Sequence, residues 1–143
     1  LVILGEGERR AALEAQASAL GLAGRCVFAG FRADVDALIP AFTLFCLSSR
    51  TEGLGTSLLD AMCFGRPIAA TAAGGIPEAV EDGVNGRLAP VGDAVALGEA
   101  IADLLVDAPL RERMGAAGRR RFEERFTDDR MVEGTLRVYE EPP

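Results

Sequence analysis

Two carboxylates, Glu52 and Asp60, bracket the run Gly53-Leu54-Gly55-Thr56-Ser57. An apolar stretch from Phe42 to Leu47 precedes the run and reads as a strand. Thr56 or Ser57 stands where a side chain caps a helix entering at Leu58, and the two glycines permit a tight turn. A strand, a glycine turn and a helix start, in that order, put free backbone N–H groups at the carboxyl end of a sheet. Such a helix start attracts anions, because its first N–H groups lack partners and the positive end of the helix dipole lies there. Carboxylates beside an anion repel it unless they grip something else on the same ligand, and sugar hydroxyls fit that need. The motif implies a ligand that carries both phosphate and hydroxyl groups.

The elements that must hold this motif follow from the rest of the chain. Leu1 to Leu4 is a continuous apolar run of the kind found in buried parallel strands. Glu8 to Leu20 carries apolar residues at helical spacing and ends at Gly21. Gly5 and Gly7 begin a dinucleotide fingerprint, but Arg10 stands where its third glycine belongs, so a plain strand-to-helix turn is the better reading. Arg25 to Ala29 is a second strand, and Val35 to Ile39 a short helix stopped by Pro40. The motif helix is expected from Thr56 to Phe64, with Met62 and Phe64 in the core. Arg66 to Thr71 follows as a fourth strand. A second glycine turn, Gly74-Gly75, leads into a short helix from Ile76 to Val80, and Arg87 to Ala89 is a brief strand. Asp93 is placed to cap a helix from Ala94 to about Val106. Two more helices are expected, Leu110 to Arg125 and one capped by Thr127 that reaches Tyr139, while Glu140 to Pro143 reads as a frayed end. Arg119-Arg120-Arg121 beside Glu123 and Glu124 reads as a solvated, salt-paired face. Alternation of strands and helices up to Ala89 is the pattern of an open parallel sheet with helices on both faces. In such sheets ligands sit at the carboxyl ends of the strands.

Composition narrows the partners. The 143 residues suit one domain, and 49% hydrophobic content with a mean hydropathy of +0.19 argues against disorder. A net charge of −7 excludes nucleic acid as a partner, since phosphate binding on that scale needs a basic face. All 15 basic residues are Arg, and the absence of His removes the commonest general base at neutral pH. Cys26, Cys46 and Cys63 are far apart and form no CxxC pair, so a reducing compartment is the default and no metal is called for. The chain opens in mid-strand at Leu1, as a segment of a longer protein would, and no apolar run reaches membrane-spanning length.

Taken together, Glu52-Gly53-Leu54-Gly55, Leu59-Asp60-Ala61-Met62, Gly65-Arg66-Pro67, Gly74-Gly75-Ile76-Pro77-Glu78 and Asn85-Gly86 carry a family likeness. The chain resembles the retaining, sugar-nucleotide-dependent glycosyltransferases of the large family 4 group. Those enzymes have two Rossmann-like domains facing across a cleft, the GT-B arrangement. The resemblance covers Leu1 to about Tyr139 and implies that residues 1–143 form most of the second, donor-binding domain, with a helical tail from about residue 94. The family's Glu-x7-Glu pair maps to Glu52, near the donor sugar as the catalytic-site carboxylate, and to Asp60, which would hold the ribose hydroxyls. Asp60 departs from the pattern, being one methylene shorter than Glu.

By the same resemblance, backbone N–H groups of Gly53, Leu54, Gly55, Thr56 and Ser57 would meet the sugar and the diphosphate. The turn Gly30-Phe31-Arg32 would read the nucleobase through main-chain atoms. The implied partners are a nucleotide-sugar donor, an acceptor of unspecified type (glycan, lipid or small molecule) and the chain's own N-terminal domain. No cofactor and no metal are implied, and the expected location is the cytoplasm, with the inner face of a membrane an open alternative for the full-length protein. A catalytically degenerate nucleotide-binding module is one rival reading, and a GT-B epimerase or phosphorylase another.

Overall fold

The structure, a computed structural model, describes residues 1–140. The chain divides into two compact units, residues 1–35 and 36–143. In the first unit, β1 (Val2–Leu4) pairs in parallel with β2 (Val27–Gly30), and α1 (Arg10–Ala19) connects them. In the second, β3 (Phe45–Leu47), β4 (Ile68–Thr71) and β5 (Gly86–Ala89) form a parallel sheet in that order. The expected α/β architecture of parallel strands and connecting helices is therefore present, with one parallel sheet in each unit.

The two units differ in burial. β4 is buried along its whole length, which requires cover on both faces of the second sheet. The helices α3 (Thr56–Cys63) and α5 (Ala94–Val106) pack on it, and α6 (Ala108–Arg125) packs on α3 and α5. Much of this core is alanine, with Ala61, Ala69, Ala70 and Ala100 buried between larger Leu58, Met62, Leu104 and Met114. Small residues let backbones approach closely, and Gly115 of α6 sits against the Gly65 carbonyl, where a Cβ would come within 2.1 Å. In the first unit β1 is parallel as expected but not buried. Leu1 and Val2 are 74% and 49% exposed, and β2 is the one strand paired with β1 among the described residues.

Element ends deviate from the sequence reading for identifiable reasons. Pro40 does not stop the chain after α2 (Val35–Leu38). It sits in the first turn of a 3₁₀ segment, Ile39–Ala41, where its missing N–H is harmless. Phe64 is not core: it is the C-cap residue of α3 and 38% exposed. α5 spans Ala94–Val106 as read, with the Asp93 carboxylate accepting from the N–H groups of Val95 and Ala96. α6 starts earlier than read, because Asp107 caps it and Pro109 lies in its first turn. The final helix, α7 (Asp128–Glu140), is capped by the Thr127 hydroxyl, and it is exposed along its length. Of the end expected to fray, Glu140 is helical and residues 141–143 lie outside the described residues.

The Asp107 carboxylate accepts the Leu110 N–H at 2.8 Å. Asp107→Ala should cost about 1 kcal/mol, lowering Tm by about 2–4 °C for a chain of this size. Thermal unfolding followed by circular dichroism measures this, and Asp107→Asn should retain most of the stability.

Candidate functional site

In the second unit, β3 ends at Leu47, and the segment from Ser48 to Gly55 carries the chain to the start of α3. The expected side-chain cap is not made. Gly55 is the N-cap residue, with φ of 72°, and neither Thr56 nor Ser57 caps the helix through its hydroxyl. The left-handed turn at Gly55 brings the helix in at an angle that a Thr or Ser at the cap would not supply. Leu58 donates to the Gly55 carbonyl, whereas the N–H groups of Thr56 and Ser57 find no acceptor among the described residues. The helix start thus keeps open the donors that a side-chain cap would have filled.

Glu52 is half-buried, and the Ser49 hydroxyl donates to its Oε2 at 3.1 Å. Ser49 is held in turn by the buried Thr71 at the end of β4, whose hydroxyl donates to the Ser49 carbonyl at 2.6 Å. The backbone of the same loop is pinned from the other side. Gly75 donates to the Gly53 carbonyl at 2.9 Å and to the Glu52 carbonyl at 3.3 Å. A Cβ on Gly74 would come within 1.8 Å of the Glu52 oxygen, and one on Gly75 within 2.0 Å of the Gly53 oxygen. The second glycine turn exists for backbone-on-backbone contact with the first.

Asp60 lies one helical turn beyond Thr56. It is exposed, and its carboxylate accepts no hydrogen bond among the described residues. Gly30, Phe31 and Arg32 belong to the first unit, at the carboxyl end of β2. Gly30 is buried with φ of 70°, and Phe31 is 73% exposed. The Arg32 guanidinium is already engaged, in a two-pronged pair with Asp34 at 2.7 and 2.5 Å. The hydrogen bond from Arg32, and the charge behind it, hold the Asp34 carboxyl below the usual carboxylate range.

The sequence reading did not find Ser49 or Thr71. Both are short hydroxyl residues at strand ends, and only the pairing of β3 with β4 brings them together. The Arg119–Arg121 run is only partly the solvated face expected. Arg119 pairs with Glu123, and its guanidinium also donates to the Cys63 carbonyl, while Arg121 reaches across to Glu78 and Glu81. Burial pushes the Cys46 thiol up, away from the thiolate that nucleophilic chemistry needs. Among the described residues no three His, Cys, Asp or Glu side chains gather in a metal-binding cluster, and no helix is long and apolar enough to cross a membrane.

Gly75→Ala forces the two turns apart, and overpacking of this kind costs about 1–3 kcal/mol. Chemical denaturation should register that loss, and hydrogen exchange should find the backbone amide at position 75 deprotected. For the first unit, NMR titration should place Asp34 below ordinary aspartates, and Arg32→Ala should return it to the ordinary range near about 3.9.

The model of the family described as glycosyl transferases group 1 matches residues 1–121. A lipopolysaccharide core biosynthesis glycosyltransferase of Rhizobium meliloti, LpsE, is 32% identical over 143 residues, which is all of this chain and 42% of the relative. N-acetyl-alpha-D-glucosaminyl L-malate synthase of Bacillus anthracis is 31% identical, over 97% of this chain and 36% of its own length. The chain thus spans about two fifths of the curated relatives it matches. Among solved structures, Anabaena HepE in complex with UDP and glucose superposes with a TM-score of 0.89 at 28% identity, covering 99% of this chain and 40% of that one. Sucrose-phosphate synthase from Thermosynechococcus elongatus gives 0.88 at 26% identity, covering 98% and 37%. The matching residues carry the glycine turns, the paired carboxylates and the parallel sheet alike, and the chain belongs to the glycosyl transferases group 1 family.

Proposed function

We propose that this chain is the donor-binding part of a longer glycosyltransferase that takes a sugar from a nucleoside diphosphate and transfers it with retention. The observation that carries this reading is the open start of α3 between two acidic side chains. The unpartnered N–H groups of Thr56 and Ser57 suit the diphosphate, and those of Gly53, Leu54 and Gly55 precede them in the same turn. Glu52, held through one oxygen by Ser49, keeps its other oxygen for the donor sugar. Asp60, exposed and unpaired, suits ribose hydroxyls. On the first unit, the turn Gly30-Phe31-Arg32 offers main-chain atoms to a nucleobase. The HepE structures in complex with UDP and with UDP-glucose support a donor of this class.

The chemistry follows from charge. As the glycosyl–phosphate bond breaks, negative charge grows on the leaving phosphate oxygens. Fixed N–H dipoles at a helix start stabilise that charge without reorganising. Glu52 stabilises the electron-poor sugar that remains. With fixed dipoles serving this step, the reading asks for no metal or cofactor. Acceptor recognition is assigned to a separate N-terminal domain. The reading puts the whole enzyme in the cytoplasm.

The test uses the whole protein with UDP-, GDP- and ADP-sugars, scoring transfer and product anomer by NMR. One donor class should be turned over with retention. Glu52→Gln should lower kcat by about 10²–10³-fold, the scale of losing a transition-state contact. Asp60→Ala should raise the donor KM about 10-fold or more, as expected for loss of a charged hydrogen bond. Undiminished turnover by Glu52→Gln would remove the catalytic assignment. Nucleotide binding without turnover in the wild type would instead mark a binding module.

A further inference from the structure

The helix α4 (Ile76–Ala79) follows directly on the Gly74-Gly75 turn and is one turn long. A single helical turn has almost no stability of its own, so its position depends on what grips its ends. Its N-terminal side is the contact with the Glu52 and Gly53 carbonyls described above. At its C-terminal side, two residues from other elements close on it. Asn85, 1% exposed, donates to the Ala79 carbonyl at 3.0 Å and accepts the Glu81 N–H at 2.7 Å. Arg121, near the end of α6, donates to the Glu78 carbonyl at 3.0 Å and pairs with the Glu81 carboxylate at 3.5 Å.

The Arg121 side chain is poorly explained by stability alone. Its Nε is buried and meets no acceptor among the described residues, an arrangement that native cores generally avoid. What the guanidinium does achieve is to tie α6 to the far end of α4. The near end of α4 sets where the Glu52–Gly53 backbone can lie. Resting on the donor-site reading of Glu52, we propose that Arg121 and Asn85 are positioning residues for the Glu52 carboxylate, acting through α4 and the Gly74-Gly75 turn. The competing account is that burial of Ile76, Ala79 and Val80 fixes α4 unaided, leaving Arg121 with only a local role.

Two measurements on the whole protein decide between these. Hydrogen exchange is read at the Gly75 amide, with the Ala70 amide of β4 as internal reference. R121M should lower protection at Gly75 at least tenfold and leave Ala70 unchanged, and R121K should give an intermediate loss of about threefold. Unchanged protection at Gly75 in R121M overturns the proposal, and so does equal loss at both amides. If R121M does not fold, R121K decides alone by the same comparison. The second measurement is a kinetic cycle. R121M should lower kcat about tenfold in the wild-type background and by less than twofold in an E52Q background, because the group being positioned is already gone. A full tenfold further loss in E52Q refutes action through Glu52. If E52Q by itself leaves kcat intact, the donor-site reading fails, while the exchange result still reports whether Arg121 governs the glycine turn.

Discussion

The arrangement of the second unit depends on one contact: the backbone of Gly74-Gly75 lying directly on the carbonyls of Glu52 and Gly53. Any side chain at either glycine would occupy the space of a main-chain oxygen, so the contact is all-or-none. It joins the loop after β3 to the loop after β4 at the carboxyl end of the sheet, where open parallel sheets build their sites. Thr71 and Ser49 reinforce it from within by a chain of two hydrogen bonds that ends on the Glu52 carboxylate. A carboxylate tethered this way needs little rearrangement when a ligand arrives, which is the condition for electrostatic stabilisation to be effective.

The start of α3 shows a second choice with the same direction. A Ser, Thr or Asp at the cap would strengthen the helix over Gly by roughly a few tenths of a kcal/mol, but its oxygen would occupy one of the first N–H groups. Gly55 forgoes that stabilisation and leaves the donors of Thr56 and Ser57 exposed. The helices α5 and α6, which present no such end to the site, are capped by Asp93 and Asp107 in the ordinary way. Of these three helices, then, α5 and α6 carry side-chain caps and α3 does not.

Local signals explain what could be read from the sequence. The α5 boundaries and its Asp93 cap are encoded within a few residues, and the strand–glycine–helix order around Glu52 is visible without any tertiary information. Long-range facts were not legible. That Leu1 and Val2 stay exposed depends on how many neighbours flank β1, and that Phe64 leaves the core depends on where α3 ends. Arg121 looked like its two arginine neighbours, since no local pattern says that one of three will bridge to residues some forty positions earlier. The glycines of the second turn suggested chain reversal. Their tighter constraint, an approach to another loop, appears only when β3 and β4 are paired.

On the proposed reading an acidic chain holds an anionic ligand, which looks contradictory, and the length scales resolve it. A net charge of −7 acts at long range, and at physiological ionic strength that field decays over about 8 Å. The dipoles at a helix start act within the first turn, at hydrogen-bonding distance, where screening by salt is weakest. Of the two nearest carboxylates, Glu52 has one oxygen turned toward Ser49, and Asp60 lies a full turn beyond the first N–H groups. Repulsion from the rest of the chain therefore bears on how fast an anion arrives more than on how it is held. On that reading, holding falls to a few N–H groups whose aim is fixed by the glycine turn that lies against their loop.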